Sequence, residues 1–268
     1  FNHLTNFLKE KYRLSDIPFA ALDRSFIDKF DLYLKIDRRL ALGTIVLLTT
    51  RLGTIISDAI AEGIITKNPF IGYEAERPER QQKYLTRKEL NKLITTPLAT
   101  PKQYLIRDLF LFSCYTGIPY CDMCKLTEED VSVADDDVVW IKTFREKTGI
   151  EYEIPLLEIP FQILERYRGT TSNGRLLPMY LNSELNRELK NIARICGISR
   201  RLTWHCGRHT YATEITLSQG VPIETVSRML GHNQIKTTQI YAKITNDKID
   251  EDMKALEKRL AGKFKFAI

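Results

Sequence analysis

Apolar residues recur at helical spacing through the first part of the chain. Two segments, 23–36 and 41–63, repeat apolar residues at steps of three and four, which predicts two amphipathic helices. Gly63 suits the residue after the second helix, because glycine adopts the left-handed conformation there without strain. We therefore expect this region to be all helical.

The helical pattern stops in the segment TKNPFIGYEAERPERQQKYLT. It contains Pro69, Gly72, Pro78 and many charges, and it has no apolar period. Such a composition is typical of a linker between domains. We expect a domain boundary near Arg80, with a helical domain at 1–80 and a second domain at 81–268.

Helical patterning returns after the linker. Thr86 and Glu89 have the spacing of a capping box, which predicts a helix that begins after Thr86. The apolar run 104–115 predicts another helix that ends near Gly117, and a further helical region begins near Glu158.

The period changes between these helices. SVADDDVVWIKTF and IEYEIPL are rich in Val, Ile, Trp, Tyr and Phe, as strands are, and EKTGI between them predicts a turn. The acidic run 135–137 is better explained as a solvated hairpin turn than as a metal site of three carboxylates. The predicted fold is mainly α, with a small antiparallel β-sheet in the second domain.

Composition limits the classes of function. The chain has 268 residues, 43% of them hydrophobic, a formal net charge of +6 and a pI near 9.0. The charge favours a polyanionic partner without establishing one. No run of about 18 apolar residues and no signal-peptide pattern occurs, so we expect no membrane span. The chain begins at Phe1 rather than methionine, as a fragment or processed chain would.

The cysteines indicate a reducing compartment. Their number is five and their spacing does not repeat, which argues against a disulfide framework and favours the cytoplasm. Cys121 and Cys124 form a C-x-x-C without a second ligand pair. We expect two small buried residues one helical turn apart, rather than a zinc site.

Most residues with candidate catalytic side chains lie near the C-terminal end. In TWHCGRHTYAT, His205 and Arg208 are three residues apart and face the same way on a helix. His209, four residues after His205, would permit a zinc pair. However, a zinc protease pattern requires glutamate directly after the first histidine, and Cys206 stands there.

A second histidine and a tyrosine follow a glycine. Gly231 predicts a helix end, and this end places His232 just outside the helix. In one continuous helix, His232 and Tyr241 would face opposite ways, whereas a break lets them converge. A lone tyrosine more often packs its ring than reacts, so Tyr241 gains a chemical role only from its neighbours.

These motifs together resemble the tyrosine recombinase (phage integrase) family. The resemblance rests on the pattern H-x-x-R, a following G-H, and a tyrosine nine residues later. EKTG resembles the lysine hairpin, FSCYTGIPYCDMCKLTEEDV the first catalytic box, and KYLTRKEL the entry to the catalytic domain. Residues 1–75 resemble the SAM-like core-binding domain. The chain is most similar to integrases of conjugative transposons, without their N-terminal arm-binding domain.

The resemblance implies a site-specific recombinase that needs neither metal, ATP nor another cofactor. Tyr241 would attack a phosphodiester and form a 3′-phosphotyrosyl link, which a 5′-hydroxyl later displaces. Arg208 would neutralise the phosphate charge, which is chemistry suited to a guanidinium. His205 would act as general base and phosphate ligand and His232 would position the phosphate, although a helix-capping His232 is the alternative. Lys147 would protonate the leaving 5′-oxygen.

The resemblance also implies partners. These are double-stranded DNA, a homotetramer assembled on DNA, and DNA-bending or directionality factors, in a bacterial cytoplasm at the nucleoid. Contacts to DNA are expected from Lys147, Arg145 and Arg208, and from Arg51 in the first domain. The segment DKIDEDMKALEKRLAGKF carries an apolar stripe that could pack on a neighbouring protomer or on its own chain.

One position departs from the family pattern. Pro119 occupies the place of the first catalytic arginine, and proline cannot donate to phosphate. We expect Arg145 to replace that arginine. In a strand, residues two apart share a face, and Arg145 is two before Lys147. Lys142, Lys125 and a merely solvated Arg145 are the alternatives.

Three other functions remain open at this point. Pro119 would permit a DNA-binding relic without activity, and a type IB topoisomerase would share the chemistry without pairing two sites. A helical interaction protein would carry the motif by coincidence. A nicked DNA that traps a covalent adduct separates an enzyme from a relic, and recombinant products exclude a simple topoisomerase.

Overall fold

The structure, a computed structural model, describes residues 2–78, 84–135, 137–171, 174–242 and 246–261, with side chains in the last segment from residue 252. The chain divides into two compact units, Phe1–Gln81 and Gln82–Ile268. The mainly helical fold with a small antiparallel sheet agrees with the prediction from the sequence.

The first unit is helical. Its helices are α1 (Asn2–Phe7), which continues as a π-helical turn (Leu8–Tyr12), α2 (Arg24–Ile36) and α3 (Leu42–Ala61). Asp23 caps α2, because its side chain accepts a hydrogen bond from the backbone N–H of Phe26 at 2.7 Å. Apolar faces of these helices form a core that includes Phe7, Phe26, Phe30, Tyr33, Leu34 and Ile45.

Helix α3 has the length and apolar composition of a membrane span, which was not expected from the sequence. A helix that packs in the core of a globular domain can have the same length and apolar composition. Five of its residues, among them Ile45, Leu52 and Ile56, are buried within the first unit, so one face of α3 contributes to the core.

The second unit combines helices with a sheet. Its elements are α4 (Arg87–Thr95), α5 (Pro101–Thr116), α6 (Tyr120–Met123), β1 (Val131–Val133), β2 (Val139–Phe144), β3 (Glu151–Pro155), α7 (Glu158–Tyr167), α8 (Asn182–Ile195), α9 (His205–Thr210), α10 (Ile223–Met229), α11 (Lys236–Gln239) and α12 (Asn246–Leu260). Thr86 and Glu89 form the expected capping box at α4, and Gly117 ends α5 with a φ of 71°.

Helix α5 is the centre of the second core. Most of its residues from Ile106 onward are buried, and it packs against α7, α8 and α9. Gly207 of α9 permits this approach, because an added Cβ would lie 2.8 Å from the hydroxyl of Ser113. The position of α9, and with it the H-x-x-R motif, is thus fixed against the core.

The strands form an antiparallel sheet in the order β1-β2-β3. Ile141 pairs with Ile154, and strand β2 ends at Phe144. A turn follows, in which the Arg145 N–H donates to the carbonyl of Ile150 at 2.8 Å and the Arg145 carbonyl accepts from Gly149 at 2.7 Å. Arg145 and Lys147 therefore lie in a turn, and the expectation that they share a face of one strand is wrong.

The C-x-x-C pair also differs from expectation. Cys121 is exposed and Cys124 is half-buried, so they are not two buried core residues. Helix α6 is a single short turn in which Asp122 and Met123 are buried and Cys121 faces solvent. All five cysteines are free thiols.

Candidate active site

Arg208 is the buried centre of the site. Helix α9 holds it with 3% of its surface exposed, and it donates to the carbonyls of Gly117 at 2.9 Å and Leu230 at 2.5 Å. Burial lowers the pKa of the guanidinium, and the positive charge of Arg145 lowers it further. No carboxylate is bonded to Arg208 among the described residues. The guanidinium thus forms an anchored cation that an anion can neutralise.

His232 lies beside Arg208 just past the end of α10. Its Nε2 is 3.0 Å from Arg208 Nη2, and its Nδ1 is 2.8 Å from Thr238 Oγ1. Because an arginine only donates, Nε2 accepts and Nδ1 carries the proton. Burial lowers the pKa of His232 to about 4, with further lowering by Arg208 and Arg145. His232 is therefore neutral at pH 7 and hydrogen-bonded on both nitrogens.

Tyr241 packs against two histidine rings. Its ring centroid is 6.4 Å from that of His232 with the rings parallel, and 4.9 Å from that of His209 in an edge-to-face contact. The break between α10 and α11 brings Tyr241 and His232 together, as the glycine predicted. Only 6% of Tyr241 is exposed, and its negative form would raise the pKa of Arg208, so the phenol lies within the field of Arg208.

His205 opens onto a cleft beside this group. It is the exposed first residue of α9, and its ring centroid is 4.6 Å from that of His209. His205 and Arg208 both line a cleft of about 440 Å³, and Pro119 lines it as well. The two residues of the H-x-x-R motif thus share a face, as the spacing predicted.

Arg145 is held by a buried carboxylate. Its Nη1 donates to Asp122 Oδ2 at 2.7 Å, and the hydroxyl of Tyr152 donates to the same oxygen at 2.8 Å. The other oxygen of Asp122 accepts from the backbone N–H of Glu146 at 3.2 Å. The side chain of Arg145 is 15% exposed, so it is not a solvated arginine. Asp122 therefore fixes both the arginine and the start of the hairpin turn.

The missing side chain of Gly231 leaves space for the side chain of Arg145. An added Cβ at Gly231 would lie 2.6 Å from Arg145 Cγ and 3.0 Å from Tyr152 Cδ1. The backbone there also has a φ of 62°, which favours glycine. Arg145 crosses the chain next to His232, and its charge lowers the pKa of both Arg208 and His232. The positive charge of Arg145 therefore influences both Arg208 and His232.

The other basic candidates have different surroundings. Lys147 is exposed in the turn after β2. Lys125 pairs with Glu146, and Lys142 pairs with Glu151 at 3.4 Å, so carboxylates already balance both charges. Arg51 is exposed on α3, in the first unit.

Sequence reasoning missed two groups. Asp122 carries a buried carboxylate whose partners are 23 to 30 positions away in the chain. Its position three residues after Pro119 was the only available signal. Thr238 fixes the His232 ring, and no sequence pattern pointed to it. Among the described residues, no group of three His, Cys, Asp or Glu side chains could hold a metal ion.

The low pKa of His232 predicts a pH dependence of stability. An unfolded histidine takes up a proton near pH 6.5, whereas folded His232 does so near pH 4. The free energy of unfolding should therefore be independent of this group above pH 6.5 and should fall as pH decreases from about 6.5 to 4. Glutamine can accept a hydrogen bond but does not titrate. In His232→Gln, the part of the decrease in unfolding free energy that is due to His232 should therefore disappear. Urea unfolding of both chains at pH 7, 5.5 and 4.5 measures it, and equal pH slopes would contradict it.

Two family profiles and several relatives match the chain. The profile of the phage integrase family matches residues 83–248, and that of the phage integrase SAM-like domain matches residues 1–76. A tyrosine recombinase XerC of Herpetosiphon aurantiacus is 28% identical over 263 residues, which covers 92% of this chain and 83% of the relative. A tyrosine recombinase of Pseudothermotoga lettingae is 28% identical over 71% of this chain and 67% of the relative.

Solved structures share the fold. The Tn1549 transposon integrase in complex with a circular intermediate DNA has a TM-score of 0.74 at 20% identity, covering 95% of this chain and 91% of that chain. A lambda integrase dimer bound to a core site has a TM-score of 0.68 at 17% identity, with 91% of each chain covered. A lambda integrase tetramer bound to a Holliday junction has a TM-score of 0.67 at 18% identity, covering 90% of this chain and 70% of that chain.

Proposed function

Because this chain belongs to the phage integrase family, the tyrosine-type site-specific DNA recombinases, we propose that it cleaves and rejoins DNA through Tyr241 to integrate and excise a mobile element. The observation that carries the proposal is the convergence of Tyr241 and His232 on the buried cation of Arg208. The experiment that tests it is the trapping of a covalent adduct on a nicked duplex, from which the cleaved 5′ fragment diffuses away.

The proposed chemistry follows from the charges of the site. Arg208 binds the non-bridging oxygens of the scissile phosphate. Neutral His232 accepts a hydrogen bond from Arg208 and so helps to hold the guanidinium in place. His205, at the mouth of the cleft, accepts the phenolic proton as Tyr241 attacks phosphorus. The P–O5′ bond breaks, and Lys147 protonates the leaving oxygen. The 3′-phosphotyrosyl ester stores the bond energy until a 5′-hydroxyl of a partner strand attacks it.

We assign to Arg145 the role of the arginine that Pro119 cannot fill. Pro119 lines the same cleft as Arg208, so the missing cation would have stood there. Arg145 extends from the hairpin past Gly231, and its positive charge lowers the pKa of Arg208 and of His232. A guanidinium can make a bidentate bond to phosphate and keep one edge for a carboxylate.

Asp122 is the positioning residue for Arg145. Its carboxylate is 1% exposed, and such a charge is tolerated only when it is paired and hydrogen-bonded. Arg145, Tyr152 and the Glu146 N–H supply these bonds. The same contacts tie the turn that carries Lys147 to α6.

Lys147 is expected to be the general acid. In Lys147→Ala, cleavage of an ordinary duplex should fall about 10²- to 10⁴-fold, because the 5′-oxygen leaves without a proton. A 5′-bridging phosphorothiolate should restore cleavage, since sulfur leaves as a thiolate of much lower pKa. Lys142→Ala is the matched control, an exposed lysine of the same hairpin paired with Glu151. A Lys147→Ala chain that cleaves both duplexes equally slowly would contradict the assignment.

Assembly on DNA is the second part of the proposal, with four protomers synapsed by their C-terminal helices. The described side chains of α12 are all exposed, including Met253, Leu256 and Leu260 at 56%, 37% and 41%. Ile249, the fourth residue of the predicted stripe, lies outside the described side chains. An apolar stripe exposed on its own chain is suited to docking on a neighbour, and it counts against packing on its own chain.

Truncation after Asn246 tests this role of α12. Binding of single protomers to DNA should be unchanged, whereas cooperative binding to two sites should weaken at least about tenfold through loss of buried apolar surface. Met253→Glu should reproduce the loss, and Lys258→Ala on the same helix should not. Electrophoretic titration of one-site and two-site duplexes measures both constants. Unchanged cooperativity in the truncated chain would refute docking in trans.

The remaining assignments follow from the substrate. Action on a mobile element would place the chain in a bacterial cytoplasm at the nucleoid, with DNA-bending and directionality factors as further partners. Arg51 would contact DNA from the first unit. An inactive DNA-binding relic is the second candidate function, because Pro119 removes one cation. Binding without adduct formation would favour it.

A further inference from the structure

His209 is a histidine of the second unit to which the proposed chemistry gives no part. It follows Arg208 on α9 and is half-buried. The centroid of its ring is 4.6 Å from that of His205, with the ring planes at 89°, and 4.9 Å from that of Tyr241, with the planes at 75°. The proposed base and the nucleophile therefore both form edge-to-face contacts with one imidazole ring.

Helix α9 attaches His209 to the core of the second unit. Gly207 of this helix packs directly against Ser113 of α5, and the two helices share one of the closest contacts in the unit. The hydroxyl of Thr210, the residue after His209, accepts a hydrogen bond from the backbone N–H of Leu85 at 2.9 Å. The backbone of His209 lies between these two contacts, so its ring projects from a fixed part of the structure.

Tyr241 depends on its neighbours for the orientation of its ring. It lies just after α11, and its backbone N–H donates to the carbonyl of Thr238 at 2.9 Å. Its hydroxyl has no hydrogen-bond partner within the described residues, so no polar bond of the side chain orients the phenol. The two histidine rings beside it remain, and the ring of His209 is closer than that of His232, at 4.9 Å compared with 6.4 Å between centroids.

The orientation of the phenol decides how fast it can react. A nucleophile attacks phosphorus from a direction in line with the leaving oxygen, and a misplacement of about 1 Å can cost about 10²-fold in rate. An edge-to-face ring contact is directional, because the positive edge of one ring meets the negative face of the other. It therefore restricts the phenol more than nonspecific apolar packing would.

We propose that His209 is a positioning residue whose ring holds the phenol of Tyr241 and the imidazole of His205 in their reacting places. This role rests on the proposed function and extends it. The contacts that the structure shows are contacts between rings, so the ring of His209 and not one of its nitrogens performs the role. Transfer of a proton through a His209 nitrogen is the alternative that the experiment separates.

The first measurement is the single-turnover rate of adduct formation on a nicked duplex, recovered by the full chain from a random-sequence library. In His209→Ala the rate at saturating DNA should fall about tenfold, the upper range for loss of one aromatic pair, while the Kd for DNA stays unchanged. His209→Phe keeps a ring and should stay within about threefold of the wild-type rate. His209→Asn keeps a polar nitrogen without the ring, and it should be as slow as His209→Ala.

The second measurement reports the position of Tyr241 without DNA. Tetranitromethane nitrates accessible tyrosine rings, and mass spectrometry of the peptides gives the rate for each tyrosine. Tyr241 is 6% exposed and should react slowly in the wild-type chain. Its nitration should become about tenfold faster in His209→Ala and stay slow in His209→Phe. Tyr211, which is 3% exposed and follows α9 directly, is the internal reference for folding and should stay protected in every chain.

The outcomes separate this role from its alternatives. Unchanged nitration of Tyr241 in His209→Ala, or a His209→Phe chain as slow as His209→Ala, would overturn the role. A His209→Asn chain with the wild-type rate would assign the function to a nitrogen and also overturn it. So would weaker DNA binding with an unchanged rate at saturation, because His209 would then act on binding alone.

The nitration result is independent of the proposed function. Faster nitration of Tyr241 in His209→Ala, reversed in His209→Phe, supports the ring contact whether or not DNA is cleaved. The same result without adduct in the wild-type chain would contradict recombination through Tyr241 and leave the ring contact standing. Adduct formation at the wild-type rate in all three variants would remove only the role of His209.

Discussion

Tyr241→Phe should abolish the covalent protein–DNA adduct while the chain stays folded and still binds DNA. The substitution removes only the hydroxyl, which has no hydrogen-bond partner within the described residues, so the free energy of unfolding should hardly change. Loss of a nucleophile costs on the order of 10⁶-fold in other enzymes, and the adduct should therefore fall below detection. Gel separation of the adduct on a nicked duplex measures it.

Tyr211→Phe is the matched control for this change. Tyr211 is also buried in the second unit, and its hydroxyl contacts the sulfur of Met229 at 3.2 Å. Burial raises the pKa of Tyr211, which makes its phenol a poor nucleophile. Adduct formation should persist in Tyr211→Phe. Adduct formation by Tyr241→Phe would remove Tyr241 from its proposed role.

Arg145→Ala should lose about 10²- to 10³-fold in cleavage rate, the usual cost of removing one donor to a developing oxyanion. The same change leaves Asp122 buried and unpaired, which costs about 3–5 kcal/mol of stability. Arg145→Lys is therefore the decisive variant. It keeps the ion pair with Asp122 but lacks the planar fork that binds phosphate at two points. Single-turnover cleavage and thermal unfolding of both variants separate catalysis from folding.

A second change tests whether Arg145 stands in for the missing arginine. Pro119→Arg, added to Arg145→Lys, should restore part of the cleavage rate, because Pro119 lines the cleft of Arg208. Full activity in Arg145→Lys and in Arg145→Ala would contradict the assignment and leave Pro119 unexplained. Loss of activity with equal loss of stability in Arg145→Lys would make the residue structural.

Local interactions made much of this structure predictable. The capping box of Thr86 and Glu89 and the end of α5 at Gly117 depend on residues three to five apart, so their patterns are readable in the sequence. The shared face of His205 and Arg208, and the break after Gly231, follow from helix geometry for the same reason.

The parts that depend on tertiary packing were not predictable. The alternation of side chains in a strand was expected to place Arg145 and Lys147 on one face, but the N–H and carbonyl of Arg145 both bond within the turn after β2. The route of Arg145 to the site depends on Asp122, which is 23 positions away, and on the missing side chain of Gly231. Cys121 is exposed while its neighbour Asp122 is buried, and the C-x-x-C spacing does not reveal which residues of α6 pack inwards.

The most direct test of the account is to identify the residue that becomes joined to DNA. The wild-type chain is incubated with a nicked duplex, the trapped adduct is digested with protease and nuclease, and the modified peptide is sequenced by mass spectrometry. We predict a nucleotide attached through a 3′-phosphate to Tyr241. A nucleotide on any other residue, or a chain that binds the duplex without forming an adduct, would contradict the account.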